Sequence, residues 1–312
     1  MIDTATPSKA PARWLPFATL AAAIFLLSTG AVFVRTAQAE GVPSLVVAVL
    51  RYTFAATILV PFVATRHQPA LRRLSARDLR SIVLAGMAFS LSLFFFFLSL
   101  ENATVLIANL FTNTHPLWVA VLEVLLLSAV LSRRVWVGIT LALIGGGLFT
   151  VSGMEAGASM GPNPLLGVVF AFVSAFLATA YFLVGRVVRA RVGTLIFLSI
   201  SLLTGVATLM TVVFLTRTSL TGYSLEGYLW IVLVTITGQL IGQGLLTYCL
   251  AHLPATFVSV SMLAQVALSA VWAFVAFGEN PGLIQLIASG VILVGVGLVI
   301  TAGSAEASKS HK

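Results

Sequence analysis

Apolar positions in this chain run together in long blocks instead of alternating with polar ones. Ten such runs fall at about 17–37, 44–65, 78–98, 103–126, 132–152, 163–186, 193–216, 226–248, 254–275 and 280–302. Each is close to the ~20 residues that an α-helix needs to cross ~30 Å of hydrocarbon. The pattern predicts an all-α integral membrane protein with ten transmembrane helices. Composition agrees, since 59% of the 312 residues are apolar and 8% are charged, whereas about a quarter are charged in a soluble domain. Mean hydropathy is +1.09. A water-soluble enzyme, a nucleic-acid-binding domain and a disordered chain are excluded. The first run has the layout of a secretory signal, with Lys9 and Arg13 before it and Ala37-Gln38-Ala39 after it. Its apolar stretch, Phe17 to Val34, is longer than the ~7–15 residues of a cleavable signal, so it reads as a retained span.

Charge sets orientation. The formal net charge is +8, and the basic residues lie at the ends of the runs. With the N-terminus inside, fourteen of the seventeen Lys and Arg fall in cytoplasmic segments, among them Arg72, Arg73, Arg77, Arg80, Arg133, Arg134, Arg186, Arg189 and Arg191. Arg35 and Arg217 fall outside, together with Glu40, Glu101, Glu155, Glu226 and Glu279. The positive-inside rule therefore predicts that both termini are cytoplasmic, with 1–16 and 304–312 as tails. No Gly-x4-Gly-Lys-Ser/Thr phosphate loop occurs, which excludes ATP-driven pumping by this chain alone. A single cysteine, Cys249, precludes an internal disulfide. No catalytic or metal-ligand spacing is present, so no cofactor and no metal are expected.

An internal repeat organises the spans. At an offset of 152, Ala103-Thr104 falls on Ala255-Thr256, Asn109 on Ser261 and Asn113 on Gln265; at 150, Gly145, Gly147 and Gly153 fall on Gly295, Gly297 and Gly303. Two five-helix halves follow, 17–153 and 163–303. Five is odd, so the second half enters the membrane in the opposite sense. Inverted repeats of this kind build transporters around a site near the membrane midplane.

The runs Ser28-Thr29-Gly30-Ala31, Leu50-Arg51-Tyr52, Asn109 to Pro116 and Gly278-Glu279-Asn280 resemble the EamA family of the drug/metabolite transporter superfamily, over roughly residues 20–302. The resemblance implies a ten-helix exporter of small metabolites, similar to bacterial amino-acid exporters, aromatic amino-acid exporters among them. In two places the sequence departs from the pattern. Ala129-Val130 stands in the first half where Gly278-Glu279 stands in the second, and Glu123 is an added acid.

The fourth run is the most polar. On a continuous helix Asn109, Thr112, Asn113, Pro116 and Glu123 share one stripe, and the ninth run carries Ser261, Gln265, Ser269 and Trp272 on a matching stripe. Polar groups facing lipid are costly. The two stripes are expected to face each other across a cavity, with Gln239, Gln243, Ser174, Tyr181 and Trp118 adding to its walls. Interhelical hydrogen bonding is the plainer alternative for the amides and hydroxyls. Arg51 reads either as a ligand for a substrate carboxylate or as a structural lock on backbone carbonyls. Pro116 suits a gate or a static bend. His115 reads as a packed histidine or a proton carrier, and Glu123 as a partner of Arg133 or Arg134 or as a coupling residue. Gly145-Gly146-Gly147 and Gly290, Gly295 and Gly297 suit close helix packing within the chain or across a homodimer. Such a cavity, nearly free of fixed charge, suits neutral or zwitterionic substrates and suits phosphorylated ones poorly. Facilitated diffusion or exchange is the expected mode, with proton-coupled efflux as the alternative and an intramembrane enzyme as the reading from another class.

Overall fold

The structure, a computed structural model, describes residues 14–103, 105–152, 162–278 and 282–309. The N-terminal tail, Thr104, Gly153, Glu155, Glu279 and Asn280 lie outside the described residues. Among the described residues, ten helices are long and apolar enough to cross a membrane: α1 (Leu15–Ala39), α2 (Ser44–Arg66), α3 (Ala76–Asn102), α4 (Ile107–Leu127), α5 (Arg133–Ser152), α6 (Pro164–Arg189), α7 (Thr194–Thr216), α8 (Leu225–His252), α9 (Ala255–Phe277) and α10 (Leu283–Ala302). Helix starts coincide with capping chemistry. Ser75 accepts from the Asp78 N–H at α3, Asn163 from Leu166 at α6, and Ser224 from Gly227 at α8.

Packing follows the repeat. Helix α3 lies along α6 as α1 lies along α8, and α4 meets α6 as α9 meets α1; α2 packs on α7 and α5 on α10, each on its own counterpart. Laying α1–α5 onto α6–α10 therefore exchanges these contacts among themselves. Small residues let the counterparts approach closely. A Cβ on Gly138 would sit 2.6 Å from the Gly295 carbonyl oxygen, and one on Gly145 would sit 2.8 Å from the Ile292 backbone nitrogen. Going up α5 from 138 to 145 means going down α10 from 295 to 292, so these equivalent helices are antiparallel, as an inverted repeat requires. Gly145 and Gly295 are thus packing glycines, while a Cβ on Gly146, Gly290 or Gly297 would meet open space.

Serines fasten α3 to α6. Ser92 Oγ donates to the Ser174 carbonyl at 2.9 Å, Ser174 Oγ to the Ser92 carbonyl at 2.8 Å, and Ser99 Oγ to the Gly167 carbonyl at 2.7 Å. Bonds of this kind contribute ~0.6 kcal/mol each on average within membranes. Ser174 is a staple in this pair and not a cavity wall.

Candidate functional site

Two helices of the repeat are broken at mid-depth. The span α4 is made by two helical segments, Val105–Thr112, which it enters at Ile107, and His115–Leu127, with the turn at Asn113-Thr114 just before Pro116. Proline lacks the N–H that the preceding turn would bond, and its ring crowds that turn's carbonyl. It sits in the first turn of the second half, where neither defect matters. Helix α9 consists of Ala255–Ser261 and Ala264–Phe277, and no proline marks this break. Around it the Leu263, Gln265 and Val266 N–H groups bond three residues back, to Val260, Met262 and Leu263. The second halves of both helices start without a side-chain cap. Two helix N-termini, each with partial positive charge, therefore lie at the breaks.

A cavity of about 470 Å³ opens beside these breaks, within the ~300–1,000 Å³ usual for small-molecule sites. Asn109, Asn113 and His115 of α4 line it, as do Gln265 and Ser269 of α9, Thr150 at the end of α5 and Gln285 at the start of α10. Phe149, Met262, Leu263 and Val266 supply apolar wall. Among the described residues, no Lys, Arg, Asp or Glu lines it. His115 is held at the wall. Its Nδ1 lies 3.3 Å from the Thr112 carbonyl, and its ring centroid lies 5.5 Å from that of Phe182.

On the other side of the breaks the same two helices are packed solid. Ala255, Val258, Ser259, Val260 and Ser261 of α9 and Val119 and Ala120 of α4 are fully buried. Glu123, only 3% exposed, closes this end. Its Oε1 accepts from the Ala255 N–H at 2.9 Å and its Oε2 from the Thr256 N–H at 2.8 Å. The carboxylate of one repeat thus caps the first turn of a helix in the other, which satisfies two backbone donors and places negative charge at the positive end of the helix dipole. This replaces the expected pairing of Glu123 with Arg133 or Arg134. The cavity lies on one side of the breaks, and the packed helix halves that meet at Glu123 close the other side.

The candidates separate into a cavity set, a seal set and others that stand elsewhere. Asn109, Asn113, Gln265, Ser269 and His115 come together at the cavity. Ser261 and Pro116 belong to the seal, and so does Glu123. The stripe arithmetic assumed continuous helices, and a break inside each turns the far half away. Tyr181, Gln239 and Gln243 share a face but border a separate void of about 10 Å³ with Tyr52 and Ser201, room for one water at most. There Gln243 Nε2 donates to Tyr181 Oη at 3.1 Å, and Tyr181 Oη lies 3.3 Å from Thr247 Oγ1. Neither tryptophan lines the cavity. Trp272 Nε1 donates to Ser28 Oγ at 2.9 Å and Trp118 Nε1 to Thr114 Oγ1 at 3.2 Å. The Arg51 guanidinium lies 5.8 Å from the Tyr52 ring centroid, and Arg51 is absent from the cavity wall. Thr150 and Gln285 were not anticipated, since both stand at helix ends where a polar residue needs no special reason.

Comparison with known proteins returns a match in each half: residues 14–151 and again 165–301 fit the model of the EamA-like transporter family. The chain belongs to this family. It is therefore a multi-pass membrane transporter of the drug/metabolite class, built from two EamA units. A solved structure described only as a crystal structure of a protein has the same fold, with a TM-score of 0.81 and 21% identity, covering 94% of this chain and 99% of that one. No curated protein matches.

Proposed function

We propose that this EamA-like transporter exports amino acids, aromatic ones among them, and related small zwitterions across a bacterial inner membrane by alternating access. The cavity at the two helix breaks carries this reading. Its amides and hydroxyls offer donors and acceptors for the charged groups of a zwitterion, and its Phe149, Met262, Leu263 and Val266 face an apolar side chain. A phosphate would want several Lys or Arg, and none lines the cavity among the described residues. With the basic face cytoplasmic, the seal at Glu123 lies on the cytoplasmic side and the cavity opens outward. Transport then requires the α4 and α9 halves around Glu123 to part while the opposite halves close.

Export runs down the substrate's own gradient or by exchange. No carboxylate is among the described residues that line the cavity, and both oxygens of Glu123 are engaged by backbone N–H groups. The test is counterflow in proteoliposomes loaded with unlabelled amino acid. Labelled amino acid added outside accumulates transiently without a pH gradient. Flux that appears only under an imposed proton gradient sinks the exchange mode, and no saturable flux with any amino acid sinks the substrate class.

A further inference from the structure

At the basic end of the helices two cavities share one side chain. The first, about 410 Å³, lies between the one-turn helix Gln68–Arg72 with its following loop, the start of α3 and the start of α7, and carries Arg73, Ser75, Asp78 and Arg191 on its walls. The second, about 240 Å³, lies where the start of α3 meets the ends of α4 and α6. Arg77, Ser81 and Arg191 stand at it, and the rest of its wall is apolar: Leu126 and Leu127 from α4, and Leu183, Val184, Val187 and Val188 from α6. Arg191 borders both.

Charge in this region is one-sided. Three guanidiniums, those of Arg73, Arg77 and Arg191, stand against one carboxylate, Asp78. That carboxylate is already engaged, with Arg191 Nη2 donating to it at 2.9 Å and Ser75 Oγ at 2.7 Å. Glu123, at the end of α4, is turned inward onto α9. Arg189 is likewise committed within the fold, donating to the carbonyls of Thr247 and Val192 and to Thr194 Oγ1. The start of α7 beside the first cavity has no side-chain cap, which adds the partial positive charge of a 23-residue helix. Immediately next to this polar, cationic cavity, the apolar one faces outward from the helix ends, with Leu126 at 69% and Val187 at 42% exposure.

We infer that the two cavities form one site for an anionic phospholipid, with its phosphate between Arg77 and Arg191, its polar headgroup toward Arg73 and Ser75, and an acyl chain along Leu126, Val184 and Val187. A soluble phosphate accounts for the arginines but leaves the apolar half unexplained. A neutral lipid accounts for the apolar half but leaves a cationic excess facing it. An anionic lipid matches both, and basic pockets between spans at the cytoplasmic surface have this chemistry in general. The site is remote from the substrate cavity and is independent of which solute is carried.

The experiment uses the full-length protein in mixed micelles containing equal fractions of phosphatidylglycerol and phosphatidylcholine, with bound lipid counted by native mass spectrometry. Phosphatidylglycerol adducts are expected to exceed phosphatidylcholine adducts about tenfold. Arg77→Gln, at an exposed position with Arg191–Asp78 left intact, lowers that preference about fivefold, the equivalent of the ~1 kcal/mol attributed to one basic residue at an anionic membrane surface. Arg77→Gln with Arg191→Gln abolishes it, and Arg77→Lys retains most of it. Inorganic phosphate at millimolar concentration does not displace the lipid. Equal adducts of the two lipids overturn the proposal, as does an unchanged preference in Arg77→Gln. Displacement by inorganic phosphate overturns it in favour of a plain anion site.

Discussion

Replacing Glu123 by glutamine tests the seal between the two repeats. In the structure the carboxylate accepts two backbone N–H bonds, at 2.9 and 2.8 Å, while only 3% exposed. Hydrogen bonds to a charged group contribute ~1.5–3 kcal/mol each, and a buried donor left without a partner costs ~1–3 kcal/mol. Glutamine keeps one acceptor, now uncharged, and turns an N–H₂ group toward the other backbone N–H. The closed arrangement loses at least ~2 kcal/mol, and when the helices part none of this is at stake, so the balance shifts toward the inward-open form by about 30-fold or more. Ser259 reports the shift, because it is fully buried in the sealed half of α9 and cysteine replaces it with little change in size. Native Cys249 is buried and gives little background. In inside-out vesicles, Ser259→Cys in the Glu123→Gln background reacts with an impermeant thiol reagent at least tenfold faster than Ser259→Cys alone. Equal rates in the two proteins, both folded, refute the claim that Glu123 holds this end shut.

Further outcomes follow from the same geometry. Asn113→Leu removes an amide from the cavity wall and lowers counterflow at least tenfold with thermal stability near wild type; a matching loss of folded protein assigns Asn113 to helix packing instead. Gly295→Leu places a Cβ 2.6 Å from the Gly138 carbonyl oxygen and the Ala142 nitrogen, so α5 and α10 must separate. It costs ~1–3 kcal/mol or more, seen as loss of monodisperse protein in size-exclusion chromatography, whereas Gly290→Leu, with open space around its Cβ, is tolerated there. For orientation, a cysteine at Ser75 reacts only from the cytoplasmic side and one at Thr221 only from outside; the reverse labelling inverts the topology.

The ten helices were legible because the membrane dictates their length and apolarity, and no tertiary contact needs to be known to find them. The repeat was legible through glycine and amide spacing, and its inversion follows from an odd number of spans. About half of the candidate cavity wall was legible. Asn109, Asn113 and Gln265 stand out in the sequence because amides at membrane depth need a polar neighbour. Ser261 and Glu123 stand away from that wall because helical angle arithmetic fails across a break, and the α9 break at Met262-Leu263 carries no proline to announce it, whereas Pro116 stands at the α4 break. Tyr181, Gln239 and Gln243 do converge, yet on a void too small for a solute, where Gln243 donates to Tyr181, and the π-helical stretch at Thr235–Gly242 that carries Gln239 is not revealed by composition. The partners of Glu123 are backbone groups more than a hundred residues away, and no local pattern marks them.

Substrate protection at the cavity wall tests the central claim most directly. Gln265→Cys lies beside the α9 break, at the open cavity, and a small impermeant thiol reagent applied from outside reaches it. Labelling is rapid and slows in a concentration-dependent way when the amino acid with the strongest counterflow is present, with half-protection near the concentration that half-saturates flux. Labelling that no transported amino acid slows, or a cysteine reachable only from the cytoplasmic side, contradicts that claim.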